Sequence, residues 1–218
     1  MSLRSVPLWD RFDCTSSRTP PLRSDVEISS STRASATGCD MPALTQENLR
    51  RLFELLNEQL RQSDTRGELY LVGGAVMCLA FNARQSTADV DALFQPAAQV
   101  RNAAERAAAI ANLPAEWLND AVKGFLSEKA DFAPFLELDH LGVMVAEPHY
   151  MLAMKCLAMR IGAEFHDEED VRFLLRLLDI RSYDQAFGII TKYYPPERFP
   201  QKALYALEEL LGQRSTGA

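Results

Sequence analysis

Between Leu69 and Phe94 the chain reads LYLVGGAVMCLAFNARQSTADVDALF, and no other stretch constrains the fold as strongly. The apolar run Leu69-Tyr70-Leu71-Val72 predicts a strand. Gly73 and Gly74 follow it, and adjacent glycines let the backbone turn sharply and approach a ligand closely. Ala75 to Phe81 is apolar and predicts a short helix. A loop carrying Arg84 and Thr87 leads to Asp89-Val90-Asp91, which runs into the apolar Ala92-Leu93-Phe94. The order is therefore strand, glycine turn, helix, loop, strand.

Two pieces of chemistry follow from these residue types. A helix beginning at the glycines offers unpaired N–H groups to an anion such as a phosphate. Asp89 and Asp91 share one face of a strand, because side chains alternate with period two. Two carboxylates so placed repel each other unless a hard cation joins them, and Mg²⁺ is commonly held by carboxylates together with substrate phosphates. Taken singly, Gly-Gly is also a plain tight turn and Asp-x-Asp a solvated strand edge. In this order, each flanked by apolar residues, they point to metal-dependent phosphoryl or nucleotidyl transfer.

The 218 residues allow one large or two small domains, and 47% hydrophobic content supplies a sizeable core. No apolar run is long enough to cross a membrane. The net charge of −7 argues against nonspecific nucleic-acid binding, though not against a local basic groove. Cys14, Cys39, Cys78 and Cys156 show no metal-binding spacing and suit a reducing cytoplasm. Residues 1–40 hold nine Ser, five Arg and five acids without helical periodicity, and read as a disordered extension. Met41 begins a conventional start, Met-Pro-Ala-Leu-Thr, so translation from Met41 is an expectation that mass spectrometry of the native N-terminus tests.

Residues 45–62 predict a helix with Thr45 as N-cap, Asn48 as an imperfect capping-box partner, and Leu49, Leu52, Phe53, Leu56 and Leu60 on one face. A helix is expected over 97–111, and a second from about Ala115 to Leu126 with Trp117, Ala121, Val122 and Phe125 as its apolar face. Phe135 to Leu138 and Leu141 to Ala146 predict strands joined at Asp139-His140. Pro148 opens a helix with Tyr150, Leu152, Ala153, Cys156, Leu157 and Ile161 at helical spacing and Lys155 among them. Asp167 and Asp170 share a face of the next helix. Helices over 183–193 and 201–211 and a frayed tail from Gln213 complete the chain.

The pattern Leu-Val-Gly-Gly-Ala, then Arg84-x-x-Thr87-x-Asp89-Val90-Asp91, resembles the signature of the nucleotidyltransferase superfamily that includes DNA polymerase β. It is similar to the bacterial AbiEii-type branch, which has toxin–antitoxin and phage-defence members. Trp117-Leu-Asn-Asp120 and the Pro148 to Lys155 segment resemble later segments of that branch, as do Arg160, Asp167 and Asp170, with His166 standing where lysine is usual. The resemblance implies an α+β fold: a small mixed sheet over 41–146 flanked by helices, then a C-terminal helical bundle over 147–218. It implies that Gly73 and Gly74 hold a nucleoside triphosphate, that Asp89 and Asp91 bind Mg²⁺ or Mn²⁺, and that Arg84, Thr87 and Lys155 meet phosphate. It makes Asn119 a nucleotide or substrate contact. For the third carboxylate that the superfamily often carries on a neighbouring strand, Asp139 is the candidate, with Glu137 beside it. The acceptor would be a tRNA end, a protein side chain or a small molecule, and a cognate antitoxin would be a partner. The alternative is an inactive nucleotide-binding or partner-binding module of the same fold.

Overall fold

The computed structural model describes residues 43–160 and 166–212. The expectations for residues 1–40, for Ile161 and for the tail from Gln213 lie outside these residues. Strand β1 (Leu44–Thr45) leads into helix α1 (Gln46–Gln62). Thr45 Oγ1 accepts the Asn48 N–H at 3.3 Å, and Asn48 Oδ1 accepts the Thr45 N–H at 3.2 Å, so asparagine closes the capping box that glutamate usually closes. The predicted stripe Leu49, Leu52, Phe53, Leu56 and Leu60 is buried. Each fully buried side chain of this kind contributes about 1.5–3 kcal/mol relative to exposure.

Strand β2 (Gly67–Leu71), helix α2 (Gly73–Leu79), strand β3 (Ser86–Thr87) and strand β4 (Val90–Gln95) form the central stretch in the predicted order. β3 pairs with β1, which anchors the loop between α2 and β4. β4 lies antiparallel to β2, with Leu71 opposite Ala92. Helix α3 (Ala97–Ala111) ends at Asn112 in the left-handed conformation and packs against α1.

The expected helix from Ala115 to Leu126 is absent. A 3-10 turn over Ala115–Trp117 is followed by strand β5 (Leu118–Asn119), then a second 3-10 turn over Ala121–Phe125. β5 adds to the sheet parallel to β4, with Asn119 opposite Asp91. Sheet pairing and the burial of Trp117, whose indole N–H donates to the Ala104 carbonyl at 3.1 Å, outweigh the local helical spacing.

Strands β6 (Phe132–Glu137) and β7 (Leu141–Ala146) form a hairpin at the expected turn, with β6 starting before the expected Phe135 and ending before Leu138, and β7 runs parallel to β2. The sheet is mixed, in the order β5-β4-β2-β7-β6. Helices α4 (Pro148–Leu157), α5 (Asp167–Leu177), α6 (Tyr183–Tyr193) and α7 (Gln201–Leu211) follow, and α4 packs on each of the other three. The architecture is α+β. Among the described residues no helix is long and apolar enough to cross a membrane.

Candidate functional site

The site forms where β2 ends and α2 begins. Gly73 has φ of 66°, a left-handed conformation that L side chains rarely adopt. The Val72 N–H donates to the Asp91 carbonyl at 3.0 Å, which extends the β2–β4 ladder one residue past the strand end. The Asp91 side chain is so close here that a Cβ on Gly73 would stand 2.9 Å from Asp91 Oδ2. A Cβ on Gly74 would collide with Thr87 Oγ1 and lie 3.4 Å from an Arg84 guanidinium nitrogen. The side chains of Asp91, Thr87 and Arg84 press against the glycine pair, in addition to the turn geometry that Gly73 requires.

Asp89 stands one residue before β4 and Asp91 lies within it; both are half-buried. Asn119 Nδ2 donates to Asp89 Oδ2 at 3.0 Å, and its amide also serves Asp91. Thr87, itself buried, donates from Oγ1 to the Asp89 carbonyl at 3.2 Å. Burial, then the like charge of Asp89, pushes the Asp91 carboxyl above its ordinary range, against the Asn119 hydrogen bond and the charges of Lys155 and Arg160. Ionising Asp91 is therefore unfavourable in this setting unless a further positive charge joins it.

Lys155 of α4 and Asp167 and Asp170 of α5 form an ion-pair network with Arg84 and Arg160 at the same cavity. Lys155 Nζ lies 3.1 Å from Asp167 Oδ1 and 2.7 Å from Asp170 Oδ2. Arg84 pairs with Asp170, and Arg160 Nε lies 3.0 Å from Asp167 Oδ2. Asp167 and Asp170 are 5% and 4% exposed, whereas their neighbours Glu168 and Glu169 face solvent. Lys155 and Arg84, with Asp170 between them, thus line the same cavity as Asp89 and Asp91. His166 sits at the α5 N-terminus, exposed, with Nδ1 3.0 Å from Glu169 Oε2.

Gly73, Gly74, Arg84, Thr87, Asp89, Asp91 and Lys155 all line one cavity of about 710 Å³. Asn119 joins them through its hydrogen bond to Asp89. Asp139 does not belong to this group. It lies exposed in the β6–β7 turn, its carbonyl accepting from Arg66 at 3.1 Å. The next residue, His140, receives the N–H of Gly67, which opens β2, while the site lies past the other end of β2. A strand's length, roughly 17–20 Å, therefore separates Asp139 from the glycines. Glu137 is exposed at the same far end and pairs with Arg66. On the strand neighbouring Asp91 the residue in register is Asn119, an amide.

Among the described residues no group of three or more His, Cys, Asp or Glu side chains is arranged to hold a metal ion. A pair of carboxylates still suits Mg²⁺, which retains several oxygen ligands from water and substrate phosphate. A cation between Asp89 and Asp91 would offset the burial and the like-charge repulsion that raise the Asp91 carboxyl. Cys78 and Cys156 are free and buried, and burial pushes the Cys156 thiol up to about 12, which removes it as a nucleophile.

The network carries a pH signature. Burial alone would raise the Asp167 carboxyl, but the Lys155 charge and the Arg160 and Lys155 hydrogen bonds outweigh it and hold the group below its ordinary range. A carboxylate depressed in the fold stabilises above its unfolded pKa of about 3.9 and loses that contribution as pH falls through the folded value. Asp167→Asn is expected to destabilise by about 2 kcal/mol at pH 7, the scale of a charge-assisted hydrogen bond. Urea unfolding should show the gap closing below pH about 4. A gap undiminished in acid would contradict this origin.

No known family model matches the chain, nor does any curated protein or solved structure.

Proposed function

We propose that the chain is a metal-dependent nucleotidyltransferase that moves a nucleoside monophosphate from a nucleoside triphosphate to an acceptor hydroxyl. The observation that carries this reading is the contact between the glycine turn and the carboxylate pair, where a Gly73 side chain would meet Asp91. Such proximity would bring a phosphate on the glycine backbone beside the acids. Gly73 and Gly74 admit the triphosphate against main-chain N–H groups. Lys155 and Arg84, held by buried acids, face the phosphates as fixed positive charge that needs no reorganisation during reaction. Thr87 fixes the main chain at Asp89, and Asn119 orients its carboxylate. Mg²⁺, or Mn²⁺ in its place, held by Asp89 and Asp91, would neutralise charge at the phosphoryl centre and ease ionisation of the acceptor. The acceptor oxygen bonds to the α-phosphorus, its proton leaving to solvent, while the α–β bridging bond breaks and pyrophosphate departs. This core, a cytoplasmic setting, the tRNA, protein or small-molecule acceptor and a cognate antitoxin partner all belong to the proposal.

A second reading, nucleotide binding without transfer, is favoured by the position of Asp139, the expected third carboxylate, which lies exposed in the β6–β7 turn away from Asp89 and Asp91. Incubation with Mg²⁺ and labelled nucleoside triphosphates separates the two. Transfer predicts pyrophosphate release with labelling of RNA or of the protein itself, abolished by Asp89→Ala. If all labelling and release are absent and Asp89→Ala leaves nucleotide affinity unchanged, the transferase reading fails.

A further inference from the structure

We infer that Phe125 is a stacking platform for the nucleobase, and that the base is gripped by its flat face rather than read by hydrogen bonding. This rests on the nucleotide site proposed above. Three large hydrophobic side chains among the described residues are exposed, Ile110, Phe125 and Tyr205, and of these Phe125, at 47%, lines the cavity.

The ring is presented by a fastened backbone. The Phe125 carbonyl accepts the Tyr194 hydroxyl at 2.6 Å. Two residues on, the Ser127 N–H donates to the Tyr150 hydroxyl at 3.1 Å, and Ser127 Oγ donates to the Tyr193 carbonyl at 2.6 Å. These bonds tie the segment to α4 and to the end of α6, so the exposure of the ring belongs to a pinned loop. Burial of an aromatic ring is favourable and is here left undone, which a ligand surface would complete.

The α4 face lining the cavity is Met151, Met154 and Lys155, at the spacing of one helix stripe, with Ala158 just past the helix end. The loop is tied to α4 at Tyr150, next to Met151 and about 7 Å along the axis from Lys155 at 1.5 Å per residue. One helix therefore offers an apolar surface beside the Phe125 loop and a cation about one turn further on, which matches a base leading to a charged phosphate chain. The side chains of Ala121, Val122, Phe125, Met151 and Met154 carry no hydrogen-bond donor, and the methionine sulfurs accept only weakly. Aromatic stacking and sulfur–ring contact grip every base, since each has a π-face. Strong rejection of a wrong substrate needs buried polar groups left unpaired, and these side chains carry none.

The test measures affinities of ATP, GTP, CTP, UTP and inorganic tripolyphosphate, the baseless probe, for the full chain with Mg²⁺ by calorimetry. The four nucleotides should fall within about tenfold of one another, the narrow discrimination of an apolar pocket. Phe125→Ala should weaken all four by about tenfold, the loss of one stacking contact, and leave tripolyphosphate within about twofold. Phe125→Trp should restore nucleotide affinity. The inference is overturned if Phe125→Ala leaves nucleotide affinity unchanged, if it weakens tripolyphosphate equally, or if one base is preferred by more than about a hundredfold. In those outcomes tripolyphosphate still binds and the nucleotide site stands. Failure of all five probes to bind the wild type overturns that site together with this inference.

Discussion

Asp91→Asn is expected to reduce nucleotidyl transfer by about a thousandfold or more and, at the same time, to raise the melting temperature of the nucleotide-free protein. The first effect follows from loss of one of two carboxylates that would hold the metal ion, whose transition-state stabilisation amounts to several kcal/mol at about 1.36 kcal/mol per tenfold in rate. The second follows from the Asp91 environment, where burial and the Asp89 charge disfavour ionisation in the fold. A carboxyl raised in the fold carries a penalty that is absent below its unfolded pKa and grows as pH rises through the folded value. The melting gain should therefore be present at pH 7 and vanish in acid, with each kcal/mol worth about 2–4 °C in a chain of this size. Asparagine keeps the shape and removes the charge, so packing changes little. Mg²⁺ with a nucleoside triphosphate should stabilise the wild type and do so weakly in Asp91→Asn, because only a ligand that binds the folded state raises the melting temperature. A variant that melts below wild type at pH 7, or that transfers normally, would remove Asp91 from the role assigned to it.

Much of this arrangement is visible in the sequence because it is local. The α1 stripe and the α6 and α7 boundaries follow from apolar spacing, and Gly73, Gly74, Asp89 and Asp91 meet because a hairpin-like β2–β4 pairing brings neighbouring segments together. The errors arise where distant pairing decides. Trp117, Ala121, Val122 and Phe125 have helical spacing, yet Leu118 and Asn119 gain more by joining β4 than by completing a helical turn. Asp139 sits in a turn that the sequence locates correctly, but only the parallel register of β7 on β2 tells which end of the sheet that turn occupies. Phe125 was legible as apolar and not as exposed. Its setting depends on Tyr150 and Tyr194, which are remote in sequence. For Asp167 and Asp170 the i, i+3 spacing was a signal, since their side chains share the face that meets α4, while Glu168 and Glu169 turn to solvent.

Asp170→Ala is expected to cost about 3–5 kcal/mol, more than any other single truncation in the network. Asp170 is 4% exposed and is the partner of both Arg84 and Lys155, so its removal disturbs two cations at once. Lys155, 12% exposed, retains Asp167 at 3.1 Å, whereas Arg84 loses the carboxylate that anchors it. The cost comes chiefly from buried charge left uncompensated, and that gives a way to separate it from lost packing. Lys155→Met with Asp170→Ala should recover part of the stability, with a coupling of about 1–3 kcal/mol in a double-mutant cycle measured by urea unfolding. A strictly additive cycle would mean that Asp170 is not coupled to Lys155, which leaves Arg84 and packing as the sources of its cost. The same cycle bears on function. If Asp170 holds Lys155 and Arg84 ready for phosphate, Asp170→Asn, which keeps the volume and loses the charge, should weaken tripolyphosphate affinity even at temperatures where the variant is fully folded. An acid that strengthens anion binding cannot do so by attraction, because its own charge repels phosphate. Weakened binding in Asp170→Asn would therefore identify Asp170 as a positioning residue, and tightened binding would show that its negative charge outweighs any positioning role.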